Sequence, residues 1–229
     1  MGLLALVTSC NDEWKDEQYE QYVSFRAPLD NAGVTNIYVP YTRHNADGSV
    51  MEGEGKSYYD LPVIVSGSTN NSKDLTVHFD YDPDTLSVLN YARFSTRTDL
   101  FYHDMSNYAS FSPTIDIKKG DNVGLLRLNF NFKAHDGVNA QVGDIDMAEK
   151  WVLPVQILDD ASYNYTSHPR KHYAKAMLRI FPFNDYSGDY SSSSLKIFVQ
   201  GDEANASTVS EKRCYVVAEN TVFFYAGNR

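Results

Sequence analysis

The chain has 229 residues, of which 42% are hydrophobic and 14% aromatic, with 17 Tyr and 12 Phe. That length holds one large domain or two small ones, and the aromatic excess suits strands better than helices. A formal charge of −10 excludes nucleic acid, or an anionic membrane surface, as a partner bound through a broad basic patch.

At the start, Leu3-Leu4-Ala5-Leu6-Val7 followed by Thr8-Ser9 reads as the tail of a secretory signal, an apolar core before small residues at a cleavage point. Val7-Thr8-Ser9-Cys10 resembles the lipobox of bacterial lipoproteins, which implies cleavage before Cys10 and lipid on its thiol. Several acyl chains make such an anchor stable, at about 0.8 kcal/mol per buried CH₂. Met1-Gly2 carries no positive leading region, so residues 1–9 are read as the remnant of a signal peptide that begins upstream. The other reading, a buried first strand, fits poorly with the charge that follows. Asp12, Glu13, Asp16, Glu17 and Glu20 face a single cation, Lys15, and such a run does not fold alone. Residues 10–21 are therefore a lipidated acidic tether. The run also resembles the signal that directs lipoproteins to the outer face of the outer membrane. With Cys10 acylated, Cys214 has no internal partner and is read as a small buried apolar residue.

Beyond the tether the apolar period is two. Strands are predicted at Gln21–Phe25, Asn36–Tyr41, Leu75–Tyr81, Thr114–Ile117, Leu126–Phe132, Trp151–Ile157 and Lys175–Phe181. Each alternates a packed face with a wet one, which turns His78 to solvent and Trp151 to the core. Asp47-Gly48, Lys119-Gly120-Asp121 and Asp136-Gly137 separate them as turns. One helix is predicted over Pro83–Leu89, with Asp82 as cap and Pro83 in first position. Thr96–Tyr108 is ambiguous. Leu61-Pro62-Val63-Ile64-Val65 and Leu153-Pro154-Val155-Gln156-Ile157 echo each other. Because proline donates nothing to a ladder, each is expected on an edge or near the start of a strand.

Many short strands with frequent turns indicate an all-β chain, an immunoglobulin-like β-sandwich over residues 22–183. Asn184–Ser194 is polar, rich in glycine and serine, and reads as a linker or first turn. Three strands follow, Leu195–Val199, Arg213–Ala218 and Thr221–Tyr225, which make 184–229 an incomplete second β-domain.

The segments "EQYVSFRAPLDNAGVTNIYVPY", "YYDLPVIVSGST", "DLTVHFDYDPDTL", "EKWVLPVQILDD" and "RKHYAKAMLRIFPFNDYSGDY" resemble one family of outer-membrane lipoproteins across nearly all of residues 10–227. The family joins an N-terminal β-sandwich domain of unknown function to a second β-domain, lipocalin-like or a lectin-like sandwich. Its members belong to polysaccharide-utilisation loci with starch-utilisation-type importers, and related sandwiches front some glycosidase and acylhydrolase lipoproteins. The resemblance implies a surface glycan-binding or accessory protein whose partners are the outer membrane and a polysaccharide or importer complex. It also implies that the second domain continues past Arg229.

No Gly-x-Ser-x-Gly elbow is present. Asp144/Asp146 and Asp159/Asp160 are the carboxylates available for glycosidase work, which needs two about 5–9.5 Å apart. No catalytic residue is assigned. His44, His78, His103 and His135 are scattered, and His168 and His172 are four apart in a segment that Pro169 turns into a loop. Gln141–Glu149 is acidic but lacks the EF-hand pattern. No metal site and no cofactor are assigned. Sugar binding fits better, since aromatic faces cover pyranose rings while Asn, Asp and Arg hold hydroxyls. The candidates are Tyr163 and Tyr165 in "DDASYNYTSHPRKHY" and Tyr186 and Tyr190 in "NDYSGDY", with corner packing as the other reading of each pair. Asp84-Thr85-Leu86 resembles a bacterial O-glycosylation site at Thr85. Together these readings describe a non-catalytic, lipid-anchored surface protein of polysaccharide capture. Two other readings stay open: the front module of a longer hydrolase lipoprotein, or a fimbrial-type structural subunit.

Overall fold

The computed structural model describes residues 20–42, 45, 47, 49, 57–135, 142–145, 149–199, 202–218 and 221–225. Cys10, Trp14, His44, Gly48, the Asp136-Gly137 turn, Asp146 and all but residue 20 onwards of the tether lie outside the described residues. Among the described residues the chain is built of strands, with little helix. The first half holds β1 (Val23–Phe25), β2 (Thr35–Pro40), β3 (Tyr58–Val65), β4 (Leu75–Tyr81), helix α1 (Pro83–Phe94) and the short β5 (His103–Asp104). Next come β6 (Ala109–Phe111), β7 (Thr114–Ile117), β8 (Val123–Phe130), β9 (Lys133–His135) and β10 (Val142–Asp144). The last part carries β11 (Trp151–Ile157), α2 (Lys171–Ala174), β12 (Lys175–Phe183), β13 (Gly188–Val199), β14 (Asp202–Ala218) and β15 (Thr221–Phe223).

Two sheets form a sandwich. One is four-stranded, ordered β1-β3-β8-β6, and the other six-stranded, ordered β2-β12-β11-β4-β7 with β5 beside β11. Leu61, Val63, Leu126 and Leu128 from the first meet Ile37, Val77, Leu153, Val155 and Leu178 from the second in one buried cluster. Each such side chain contributes roughly 1.5–3 kcal/mol through its burial. The sheets approach so closely at one corner that a Cβ on Gly124 would stand 2.8 Å from Ile117, and glycine is required there. The alternation predicted for β4, β8 and β11 is what the inward residues of these strands obey.

Val152 and Met177 depart from it, being buried on the outward side. Helix α1 covers them, and with Val34, Leu86 and Tyr102 they form a second small cluster. The helix starts as predicted: Asp82 caps it by accepting from the Thr85 N–H, and Pro83 opens the first turn. It runs past Leu89 to Phe94 because Asn90, not an apolar residue, continues the buried stripe. Its amide donates to Tyr102 O at 3.0 Å and accepts from Tyr102 N at 2.8 Å. Ser95, at φ 54°, ends the helix with its N–H on Tyr91 O. The ambiguous stretch after it becomes two 3₁₀ turns flanking β5.

The expectation of edge positions for Pro62 and Pro154 is corrected. Pro62 lies in β3, between β1 and β8, and Pro154 in β11, between β12 and β4. Both are tolerated because the neighbour on the N–H side has just ended. Pro62 O accepts from Arg26 N, one residue past β1, and Pro154 O accepts from Asp82 N, one past β4. Each proline thus makes one bond of the final pair and cannot make the other, which ends the ladder at that rung.

A three-stranded antiparallel sheet, β13-β14-β15, follows. The Gly/Ser-rich stretch read as a linker is in strand from Gly188 onward, with an irregularity between Ser191 and Leu195. Backbone pairing with β14 holds it, which side-chain polarity does not reveal. Val216, 1% exposed, joins the core cluster of the sandwich, with Val222 packed against it, so the third sheet docks on the first two. No helix among the described residues is long and apolar enough to cross a membrane.

Candidate functional site

The loop after β11 places Tyr163 and Tyr165 together, stacked with centroids 5.5 Å apart. The last backbone bond from this strand to β4 runs from Leu158 N to His78 O, and past it the loop's side chains take over. Asn164 Oδ1 accepts from Thr76 N, and Tyr165 OH accepts from His78 N at 3.1 Å while donating to Leu158 O at 2.7 Å. Tyr165 is only 7% exposed, and burial, the largest cause, pushes its phenol up to about 12. Tyr163 lies flat on the imidazole of His78, centroids 4.0 Å apart and planes at 5°. His78 is thereby half-buried, not turned to solvent. A pocket of about 310 Å³ opens beside the pair, lined by Gln21, Ser72, Lys73, Asn164 and the two tyrosines. Tyr165 shows no free face to a ligand there; Tyr163 is the more accessible ring. Asp160 is held below the usual carboxylate range by hydrogen bonds from the Ser162 hydroxyl and N–H, so it builds the turn.

Tyr186 and Tyr190 are 53% and 45% exposed, with the Tyr190 hydroxyl donating to Tyr186 O at 2.7 Å. They flank the turn that leads into β13. Asn184 shapes that turn by accepting from Tyr186 N and Ser187 N, as an Asx-turn does.

The same turn borders a groove at the joint between the sandwich and the third sheet, where β2 lies beside β12. These two strands run parallel, and the register sets Asn36 against Arg179 and Tyr38 against Phe181. Ile37, Val39, Leu178 and Ile180 point inward, so Asn36, Tyr38, Arg179, Phe181 and Phe183 share the outward face. Tyr38 stacks with Phe181, centroids 5.6 Å apart. Opposite them stand Tyr215, Phe223 and Tyr225, with Tyr215 and Phe223 stacked at 5.3 Å. A cleft of about 240 Å³ lies between these groups, and a second hollow of about 200 Å³ adjoins it, sharing Tyr38, Phe181, Pro182, Arg213 and Tyr215. Arg213 forms a two-pronged pair with Asp189, at 2.6 Å for each bond. Its guanidinium holds the Asp189 carboxyl below the usual range. Cys214, half-buried, lines the smaller hollow.

Sequence reasoning missed Tyr38, Phe181 and Tyr215. The signal was present for the first two, since large aromatics occupy strand positions where alternation calls for polar residues. Thr85 is half-buried, and its hydroxyl accepts from Lys175 Nζ at 2.7 Å in the helix-capping network. His168 and His172 do not converge: His168 Nδ1 accepts from Arg170 N, and His172 lies in α2 against Tyr173. Residues 141 and 146–148 lie outside the described residues, and so do the side chains of 142–144, Asp144 among them. No cluster of three or more potential metal-ligating side chains occurs among the described residues.

Residues 14–161 match the family model described as a domain of unknown function, DUF4973. A second model, for a C-terminal domain, matches residues 174–229. An auxiliary nutrient binding protein from Bacteroides thetaiotaomicron is 52% identical, with 91% of this chain and 65% of that one covered and a TM-score of 0.68. A multidomain protein from Bacteroides ovatus is 43% identical, covering 90% and 61% at a TM-score of 0.66. A protein of unknown function from the same species is 34% identical, covering 94% and 62% at 0.65. The chain thus spans less than two thirds of the length of these relatives. No curated protein matches it. On the match over residues 14–161, the chain belongs to the DUF4973 family.

Proposed function

We propose that this chain is a non-catalytic glycan-binding or accessory protein of nutrient capture, and that saccharide lies in the groove where the third sheet meets the sandwich. The observation that carries the reading is the outward row Tyr38, Phe181 and Phe183 on adjoining strands, with Tyr38 58% and Phe183 45% exposed. Exposed aromatic area stabilises a fold little, whereas a flat ring in a groove covers the apolar face of a pyranose. A relative 52% identical is described as nutrient binding, which supports the same class. The lipid anchor on Cys10, the outer-membrane address facing the exterior and an importer complex as partner belong to this proposal. Tyr186 and Tyr190 belong to the turn whose Asn184, Ser187 and Gly188 line the smaller hollow, and they are kept in this proposal as outer contacts.

Calorimetric titration against a panel of plant, microbial and host polysaccharides tests it. At least one should bind, and Tyr38→Ala should weaken that binding by roughly fivefold or more, the worth of one stacked ring. Because Tyr38 is outward and exposed, the variant should keep the wild-type melting temperature. Failure of every polysaccharide to bind would refute the glycan reading.

A further inference from the structure

Arg179 differs from the three described arginines that are paired with carboxylates, and unlike Arg26, Arg93 and Arg170 it lines the joint cleft. Arg97, Arg127 and Arg213 each hold an aspartate through two N–H···O bonds, to Asp99, Asp60 and Asp189. Arg179 is half-buried in the wall of the joint cleft, its guanidinium 4.6 Å over the ring of Phe181. Among the described residues no carboxylate, carbonyl or hydroxyl accepts from it. Its register partner on β2 is Asn36, not an acid. Five N–H donors, partly withdrawn from water and held rigid by the ring beneath, are a site prepared for an acceptor.

The surrounding charges point the same way. Of the cations in the cleft, Arg213 is neutralised by Asp189, while Lys150 lies over Phe94 without a carboxylate among the described residues. Glu149, the acid in the lining, sits 3.3 Å from His103 Nε2. Counting formal charges, Arg179, Arg213 and Lys150 stand against Glu149 and Asp189, an excess of one positive charge in a chain of −10. A guanidinium can donate to a neutral sugar's hydroxyl oxygens, but those are single, uncharged acceptors. A planar carboxylate matches the guanidinium fork with two parallel bonds.

We propose that the cleft takes a carboxylated saccharide, a hexuronate, with the ring against Tyr38 and Phe181 and the carboxylate on Arg179. This inference rests on the glycan reading above. The test uses the whole chain with polygalacturonate and alginate, each beside its methyl ester, which keeps the backbone and removes the charge. One of the two acidic polymers should bind roughly ten- to hundredfold more tightly than its ester, the worth of a charge-assisted fork. Arg179→Gln should erase that difference by weakening the acid far more than the ester. Arg179→Lys, which keeps charge but not the fork, should recover only part of it. Equal affinity for acid and ester, or a difference that survives Arg179→Gln, would overturn the carboxylate assignment and leave the glycan reading standing. Equally tight binding of dextran sulfate would show a general anion site and overturn it too. Binding of neutral glycans alone would do the same, whereas no binding of any polysaccharide would remove both proposals together.

Discussion

Tyr165 shows how one side chain substitutes for a strand. Its hydroxyl serves two backbone groups, taking the N–H of His78 and giving its proton to the carbonyl of Leu158. Tyr165→Phe keeps the ring and leaves both groups without a partner, a loss of about 1–3 kcal/mol by urea unfolding at pH 7. The phenol also sets an alkaline limit. Its folded pKa of about 12 stands above the ordinary value of 10.0, so the folded state favours the neutral form. Stability from this group is complete below pH 10 and falls as pH rises toward 12. The phenylalanine variant should lack that part of the decline. The sequence placed Tyr163 and Tyr165 two residues apart among polar neighbours, which reads as a sugar platform or, more readily, as a packed corner. What separates the two is where β11 stops pairing with β4, a long-range fact that the local residues do not contain.

At the scale of an element, α1 depends on its first turn. Asp82 is almost fully buried and bonded to Lys175 Nζ, which also donates to Thr85. Burial works against ionisation of Asp82, but hydrogen bonds from Lys175 and Thr85 outweigh it, and the carboxyl stays below its ordinary 3.8. Its contribution is thus present above about pH 4 and lost as pH falls through the lower folded value. Asp82→Asn retains a capping side chain but strands the lysine. We expect a loss of about 1–2 kcal/mol at pH 7, with the gap to wild type closing in acid; a pH series of thermal melts checks this. The helix start was legible because Asp82-Pro83 is a local signal. Its end was not, because the stripe continues through Asn90, whose burial is explained only by the Tyr102 backbone it clamps. The two prolines carry the same lesson: a missing N–H is harmless where a neighbouring strand has ended, and only the assembled sheet shows where that is.

At the scale of the molecule, β12 joins two assemblies. It pairs with β11 and β2 inside the sandwich and presents its outward residues to the third sheet. Val216 on β14 is the fully buried residue of the third sheet in the sandwich's core cluster. Val216→Ala removes two buried methylene equivalents and should destabilise by about 2 kcal/mol. Hydrogen exchange should show the loss first in β13, β14 and β15, with β3 and β8 keeping wild-type protection. Equal loss in both regions would mean that the two assemblies unfold as one unit.

The sequence by itself determined the all-β class, most strand positions and the inward side chains, because a period of two is a property of neighbouring residues. It also carries the whole case for the anchor, since Cys10 and nearly all of its acidic tether lie outside the described residues. Tertiary structure decided which outward residues meet. Tyr38 and Phe181 stack, and Arg179 lies in an aromatic-walled cleft, because β2 pairs in parallel with a strand far along the chain and β14 packs over both. Alternation states which face a residue takes but not which strand will lie beside it. That choice is made by burial summed over the whole core, and the groove is its consequence.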